Sequence, residues 1–211
     1  MEQISLFPLS EEQFSQPQPP PSNQHAVDVV RGLRYISDYL TEFQHDWLLD
    51  HIDKQQWEHY HQRRVQHYGQ SYNFNNQQLN NGSEVSKFPE WVNRLCLKLH
   101  NDGHMPKVAN QMLISEYEPG QGIGGHIDKE ACFMDTIVIL SLNSSCVMDL
   151  TNKYDKTKKV PIWLAPGSLT VLSKDAKNKW LHGIPARKSD MWDGRKYPRQ
   201  RRVSLSFRRL I

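Results

Sequence analysis

From Lys107 onward the chain is cut into short β-branched and apolar segments by clusters of Gly, Pro, Asn and Lys, and this constrains the fold most. The segments are Gln111–Tyr117, Asp135–Leu142, Cys146–Leu150, Val160–Leu164, Ser168–Ser173, Trp180–Ile184 and Val203–Phe207. Roughly seven or eight strands at this spacing predict a double-sheet barrel, in a fold that is mostly β but α+β overall. No internal repeat competes with that reading.

Helical signals are confined to the first half. Thr41-Glu42-Phe43-Gln44 is a capping box, in which Thr41 caps the Gln44 amide and the Gln44 side chain reaches back. A helix over 41–52 follows, with Phe43, Trp47, Leu48 and Ile52 as an expected core stripe. Pro89 starts a second helix, where its missing amide costs little, with Trp91, Val92, Leu95, Cys96 and Leu99 on its buried face. A strand is expected at Leu33–Ile36. Residues 26–211 read as one domain, long enough for a substantial core.

Residues 1–25 read as a disordered or polyproline tail, with proline clustered from Pro17 to Pro21. Within it, Gln3-Ile4-Ser5-Leu6-Phe7 resembles the short peptide that docks on the bacterial sliding clamp; the other reading is an idle tail. No apolar run approaches the roughly 20 residues that span a bilayer. With no signal-peptide pattern and three unpatterned cysteines, Cys96, Cys132 and Cys146, a reducing cytoplasm is expected.

The net charge of +3 hides an asymmetry. Residues 151–211 hold 16 Lys/Arg against 4 Asp/Glu, and residues 1–150 hold 10 against 19. The C-terminal part is thus a candidate footprint for a polyanion, or a solvated basic surface. A second strip, Arg63-Arg64-Val65-Gln66-His67-Tyr68-Gly69 with Tyr72-Asn73-Phe74, interleaves basic and aromatic residues. It either grips phosphates and stacks a base, through Arg63, Arg64, Tyr68 and Tyr72, or is an ordinary hairpin with exposed arginines.

Three His-x-Asp motifs occur, and their contexts differ. His51 and Asp53 end a helical segment, where residues two apart diverge. His100 and Asp102 precede Gly103, a helix-stop pattern. Only His126 and Asp128 follow a strand and a Gly/Pro turn, Glu118-Pro119-Gly120-Gln121-Gly122, and an extended chain aims both at one point. Two histidines and one carboxylate, leaving an open face, suit a non-haem iron oxygenase. Downstream of Asp128 His182 is the sole histidine, so a third ligand from that region has to be His182.

The open face then needs a co-substrate that supplies electrons to dioxygen. A dicarboxylic 2-oxo acid fits, and each of its carboxylates wants a fixed cation. Arg202 and Arg208 lie six apart on one face of the last strand with Ser204 and Ser206 between them, while Val203, Leu205 and Phe207 take the other. A basic, hydroxyl-lined inner face is costly unless an anion fills it.

The set Tyr117, His126-x-Asp128, His182 and Arg202-x5-Arg208 resembles the AlkB family of Fe(II)/2-oxoglutarate dioxygenases, from about Leu33 to the C-terminus. The resemblance implies a double-stranded β-helix (jelly roll), with N-terminal helices packed on it and a nucleotide-recognition lid at about 60–80. It implies iron bound by His126, Asp128 and His182, with 2-oxoglutarate and dioxygen as co-substrates. It puts Arg208 on the C1 carboxylate of 2-oxoglutarate, and Arg202 with Tyr117 on the C5 carboxylate. Ser115 stands where the family usually has Asn, and Ser204 replaces a commonly polar amide position. Glu130 falls where bacterial repair members carry an acid near the damaged base; it is a substrate contact or a rim charge. In detail the chain looks most like the AlkB domain that hydroxylates wobble uridines in tRNA. Implied functions are oxidative dealkylation or hydroxylation of DNA or RNA bases, or wobble-uridine hydroxylation; a catalytically idle nucleic-acid reader and a protein-directed dioxygenase are the competitors.

Overall fold

The computed structural model describes residues 21–70, 72–73, 78–79 and 88–211. The clamp-like peptide Gln3–Phe7 and part of the expected lid lie outside the described residues. The elements begin with α1 (Gln24–Val29), β1 (Leu33–Ile36), α2 (Glu42–Asp53), β2 (Glu58–Tyr60), β3 (Arg63–Gly69), β4 (Tyr72–Asn73), β5 (Gln78–Leu79) and α3 (Glu90–Asn101). There follow β6 (Gln111–Tyr117), β7 (Ile123–His126), β8 (Thr136–Asn143), β9 (Cys146–Asn152), β10 (Lys159–Leu164), β11 (Leu169–Ser173), α4 (Lys174–Asn178), β12 (Trp180–Ile184), β13 (Ser189–Trp192), β14 (Arg195–Pro198) and β15 (Arg202–Arg208).

Two antiparallel sheets carry the fold. One has seven strands in the order β1-β11-β8-β15-β6-β3-β2, and the other four, β10-β9-β12-β7. Non-sequential neighbours in both sheets give the crossed connections of a jelly roll, as expected. The outer face of the large sheet packs on α2 and α3 through Val203, Leu205, Phe207, Ile114, Leu48, Ile52 and Leu99, all buried. Its inner face meets the small sheet through residues such as Ile137, Ile139, Met148 and Leu150. Side-chain alternation along β15 therefore sends alternate residues into two different environments, one dry and one polar.

Local signals set the helix ends. Thr41 Oγ1 accepts from the Gln44 amide and Gln44 Oε1 from the Thr41 amide, so the capping box is formed. Gly103 takes φ +74° at the end of α3, where an L side chain would be strained. Two expectations need correction. Phe43 and Trp47 are not core: they are 77% and 41% exposed. Leu48 and Ile52, one turn apart, make the buried contact of α2, while Phe43 and Trp47 lie on the adjacent ridge beside a groove toward α3. The domain also starts ahead of residue 26. Asn23 is buried and clasps the Trp163 backbone through both amide atoms, at 2.7 Å each, so α1 belongs to the fold. Sequence periodicity does not reveal β7, which is glycine-rich, or the β13–β14 hairpin. Among the described residues no helix is long and apolar enough to cross a membrane.

Candidate active site

His126 ends β7 and His182 sits mid-way along β12; the two strands pair with these residues in register. Glycine makes that pairing close. A Cβ on Gly183 would come within 3.0 Å of the Gly125 and Ile123 backbone, and one on Gly122 within 2.2 Å of the Ile184 carbonyl oxygen. Gly183 therefore makes room for a neighbouring strand. The imidazole centroids lie 4.3 Å apart. Asp128, two residues past the end of β7, closes the group, and one ligand atom from each of His126, Asp128 and His182 lies within 4.8 Å of the other two. The other His-x-Asp motifs form no such group: the His51 ring bonds back to the Trp47 carbonyl within α2, and His100 lies in the last turn of α3.

The protonation state suits a cation. Burial drives the His182 imidazole down to about 3, so it is neutral. Burial alone would raise Asp128, but Arg208 and the two histidines outweigh it and hold the carboxyl at about 2. His126 Nδ1 sits 2.9 Å from the Gly124 carbonyl, to which it donates, so Nε2 is the ring nitrogen turned toward Asp128 and the group. His182 Nδ1 is buried and, among the described residues, has no hydrogen-bond partner. A neutral His182 with one ring nitrogen orphaned, a second imidazole and an ionised carboxylate fit the donor set of an Fe(II) ion.

Behind the histidines lies a polar pocket. Arg202, Ser204, Ser206 and Arg208 line it from β15, Ser115 and Tyr117 from β6, and Ile139, Met148 and Ile184 add apolar walls. Arg202 pairs in register with Tyr117, and Ser204 with Ser115. Arg202 is 3% exposed and donates to Ser141 Oγ at 2.9 Å, but its Nε has no partner among the described residues. Among the described residues it has no carboxylate partner, and a buried guanidinium in that state calls for an anion. Arg208 instead donates its Nε to Asp128 Oδ2 at 2.5 Å, so it braces the acidic member of the group.

In front of His126 lies an open cavity of about 290 Å³. Tyr60, Arg63, Val65 and His67 line it from the β2–β3 hairpin, and Lys129 and Phe133 from the segment after Asp128. The expected substrate contacts divide by strand parity. Arg63 faces the cavity and donates to the Tyr117 hydroxyl at 2.8 Å. Arg64 and Tyr68 face away, which corrects their expected contact with substrate. Arg64 is bidentate to Glu116, at 2.6 and 2.7 Å, and lies over Trp57; Tyr68 packs on the helix side against Trp91. Tyr72 falls in β4, with its side chain outside the described residues. Glu130 is mostly exposed, 3.9 Å from Lys153, and does not line the cavity. Sequence reasoning does not single out Tyr60, Lys129, Phe133 or Ser141, because lining depends on which strands adjoin.

A family model described as the 2OG-Fe(II) oxygenase superfamily matches residues 22–208. The chain belongs to that superfamily. A mimivirus protein described as uncharacterized protein L905 is 32% identical, with 86% of each chain covered. The tRNA (carboxymethyluridine(34)-5-O)-methyltransferase ALKBH8 of Macaca fascicularis is 34% identical over 69% of this chain, which spans 22% of that longer protein. The solved structure of OsALKBH1 superposes with a TM-score of 0.63 at 14% identity, covering 84% of this chain and 96% of the other, a likeness of fold. The protein is thus a 2OG-Fe(II) oxygenase, a class whose reaction uses Fe(II), 2-oxoglutarate and dioxygen.

Proposed function

We propose that this oxygenase oxidises an alkyl carbon carried by a base in nucleic acid. The observation that carries the reading is the cavity in front of His126, which opens to solvent and is ringed by Tyr60, Arg63, His67 and Lys129. Aromatic and cationic side chains around an opening of this size suit an unpaired base with its phosphates. His126, Asp128 and His182 would hold Fe(II). Arg202, with Ser204, Ser115 and the Tyr117 hydroxyl, would hold a 2-oxoglutarate carboxylate, and Arg208 keeps Asp128 ionised and oriented. Iron with 2-oxoglutarate supplies the oxidising chemistry: dioxygen converts 2-oxoglutarate to succinate and carbon dioxide and hydroxylates the substrate carbon. Arg63, bridging Tyr117 and the cavity, would couple co-substrate seating to substrate entry. A carbon attached to a base nitrogen would then leave, repairing the base; a carbon attached to carbon would stay as an alcohol.

A second, narrower reading is hydroxylation of a tRNA uridine side chain. The cavity walls carry Arg63 and Lys129, and the one carboxylate among the described lining residues, Asp128, is already paired with Arg208. Glu130 stands outside. That balance favours a neutral or acidic base substituent over a positively charged alkylated base. The macaque relative is named for a modified tRNA uridine, which agrees with it. Methylated DNA and RNA oligonucleotides and modified tRNA, incubated with iron and 2-oxoglutarate and read by mass spectrometry, test both. Methyl loss supports dealkylation, a retained oxygen supports hydroxylation, and no change in any substrate contradicts the proposal. The repair reading also gives a use to Gln3–Phe7 as a sliding-clamp peptide; deletion of residues 1–10 should weaken clamp pull-down without affecting turnover, and an unchanged pull-down removes the idea.

A further inference from the structure

The turn between β9 and β10 is built in an unusual way for a solvent-facing connection. Residues 152–159 read Asn-Lys-Tyr-Asp-Lys-Thr-Lys-Lys, four lysines against one aspartate. The turn is rigid. Asn152 Oδ1 accepts from the Tyr154 and Asp155 amides at 2.9 and 3.1 Å. Asp155 Oδ1 accepts from the Thr157 amide and hydroxyl at 3.1 and 2.6 Å. Backbone bonds from Lys158 to Asp155 and from Asn152 to Lys158 close it, and the Lys153 amide ties it to Lys179. This frame holds Tyr154 with 75% of its surface exposed, so the ring contributes little to any core. Lys153 Nζ lies 5.0 Å from the ring centroid.

Its position connects it to the active site. β9 pairs with β12, Asn152 opposite Trp180 and Leu150 opposite His182, so the turn projects from the strand pair that carries His182. Lys153 Nζ is also 3.9 Å from Glu130, in the segment whose Lys129 and Phe133 wall the substrate cavity. Lys158 is 3.7 Å from Asp155, whereas Lys156 and Lys159 have no ion pair among the described residues and are exposed. A single exposed ring among lysines is not the contiguous apolar patch that marks a protein interface. A stacking face beside phosphate-seeking cations is the combination that grips single-stranded nucleic acid.

We propose that the β9–β10 turn is a second nucleic-acid contact: a base flanking the target nucleotide stacks on Tyr154, and Lys156 and Lys159 take adjacent phosphates. This rests on the nucleic-acid reading of the cavity. It differs from it in location, since the β2–β3 hairpin lies on the other sheet. Its partner is an unpaired strand long enough to reach from the cavity to the turn, and not a lone modified nucleoside.

The test uses the full chain with Tyr154→Ala, Tyr154→Phe and the double change Lys156→Ala/Lys159→Ala. Binding to a labelled single-stranded oligouridylate of about twelve nucleotides, within ordinary single-domain site sizes, is measured against salt. Tyr154→Ala should weaken binding about five- to a hundredfold, with Tyr154→Phe close to wild type. The double lysine change should lower the slope of log K against log salt by about 0.7 per lysine. Succinate formation without a nucleic acid should stay at the wild-type rate in all three, which separates the contact from folding damage. Wild-type binding with Tyr154→Ala unaffected overturns the platform alone. A wild type that binds no nucleic acid at low salt overturns both the platform and the reading beneath it.

Discussion

Arg63 and Arg64 are neighbours of the same type, and one backbone step separates their duties. Arg63 points to the Tyr117 hydroxyl and the cavity; Arg64 points to Glu116 and Trp57. Arg63→Ala should raise the KM for 2-oxoglutarate or substrate, leaving thermal stability nearly unchanged. Arg64→Ala should do the reverse, costing about 1–2 kcal/mol for a charge-assisted pair that is partly screened by solvent. Steady-state kinetics beside thermal melts checks both. From sequence the two arginines look alike, because basic and aromatic interleaving says nothing of which parity faces a site. His126, Asp128 and His182 are legible because chemistry leaves few alternatives: one His-x-Asp has a strand before it, and one histidine follows. His182 also sets a pH dependence. The folded protein keeps it neutral down to about 3, whereas the unfolded chain takes the proton near the ordinary value of ~6.5. Its contribution to stability is therefore full above that value and lost as pH falls below it. Metal-free protein should lose melting temperature from pH 7 to 5, and His182→Leu should show a smaller loss over that range.

At the scale of elements, alternation along β15 joins stability to function, with Val203, Leu205 and Phe207 fixing the strand against the helices while its other face stays polar. Most strands are legible in the sequence to within a residue or two, since β-branched runs between turn residues are unambiguous. The strands that escape detection are short and polar or rich in glycine, among them β2, β5, β7 and the β13–β14 hairpin. The hairpin is held by charge as well as by Trp192 and Tyr197 packing against Trp163. Asp190 is 1% exposed, accepts from Arg199, Arg187 and the Val147 amide, and so pins β13 to β9. Burial pushes its carboxyl up, but those donors outweigh it and hold it below the usual range. A depressed value means this support is present above the unfolded carboxyl pKa and lost as pH falls below it. Asp190→Asn should therefore destabilise the protein by about 3–5 kcal/mol near neutrality and shrink the acid limb of the stability curve, measured by urea titration at several pH values. The α2 stripe is the instructive error. Its helix and cap are legible, yet helical spacing alone cannot say whether a ridge meets the core or overhangs a groove.

For the whole molecule, the negative first part and positive second part of the chain fold into one body. The charge asymmetry does not stay segmental: Arg201 from the basic end pairs with Asp53 and Glu116 from the acidic part. Part of the basic excess is consumed in this way, part lines the inner pocket as Arg202 and Arg208, and the rest faces solvent on turns such as 153–158. Sequence counts cannot make that division, because it depends on which strands become neighbours. The two sheets meet so that a three-residue donor group stands between an inner, arginine-floored pocket and an outer, open cavity. Under the proposed function, co-substrate and substrate would be kept on opposite sides of the group. The most direct test is anaerobic titration of 2-oxoglutarate into the Fe(II)-loaded protein, with bound iron counted in the same samples. The wild type should bind one iron and 2-oxoglutarate; His182→Ala should lose both; Arg202→Ala should keep the iron and weaken 2-oxoglutarate by roughly two to four decades. Full iron loading in His182→Ala, or wild-type 2-oxoglutarate affinity in Arg202→Ala, would contradict the account.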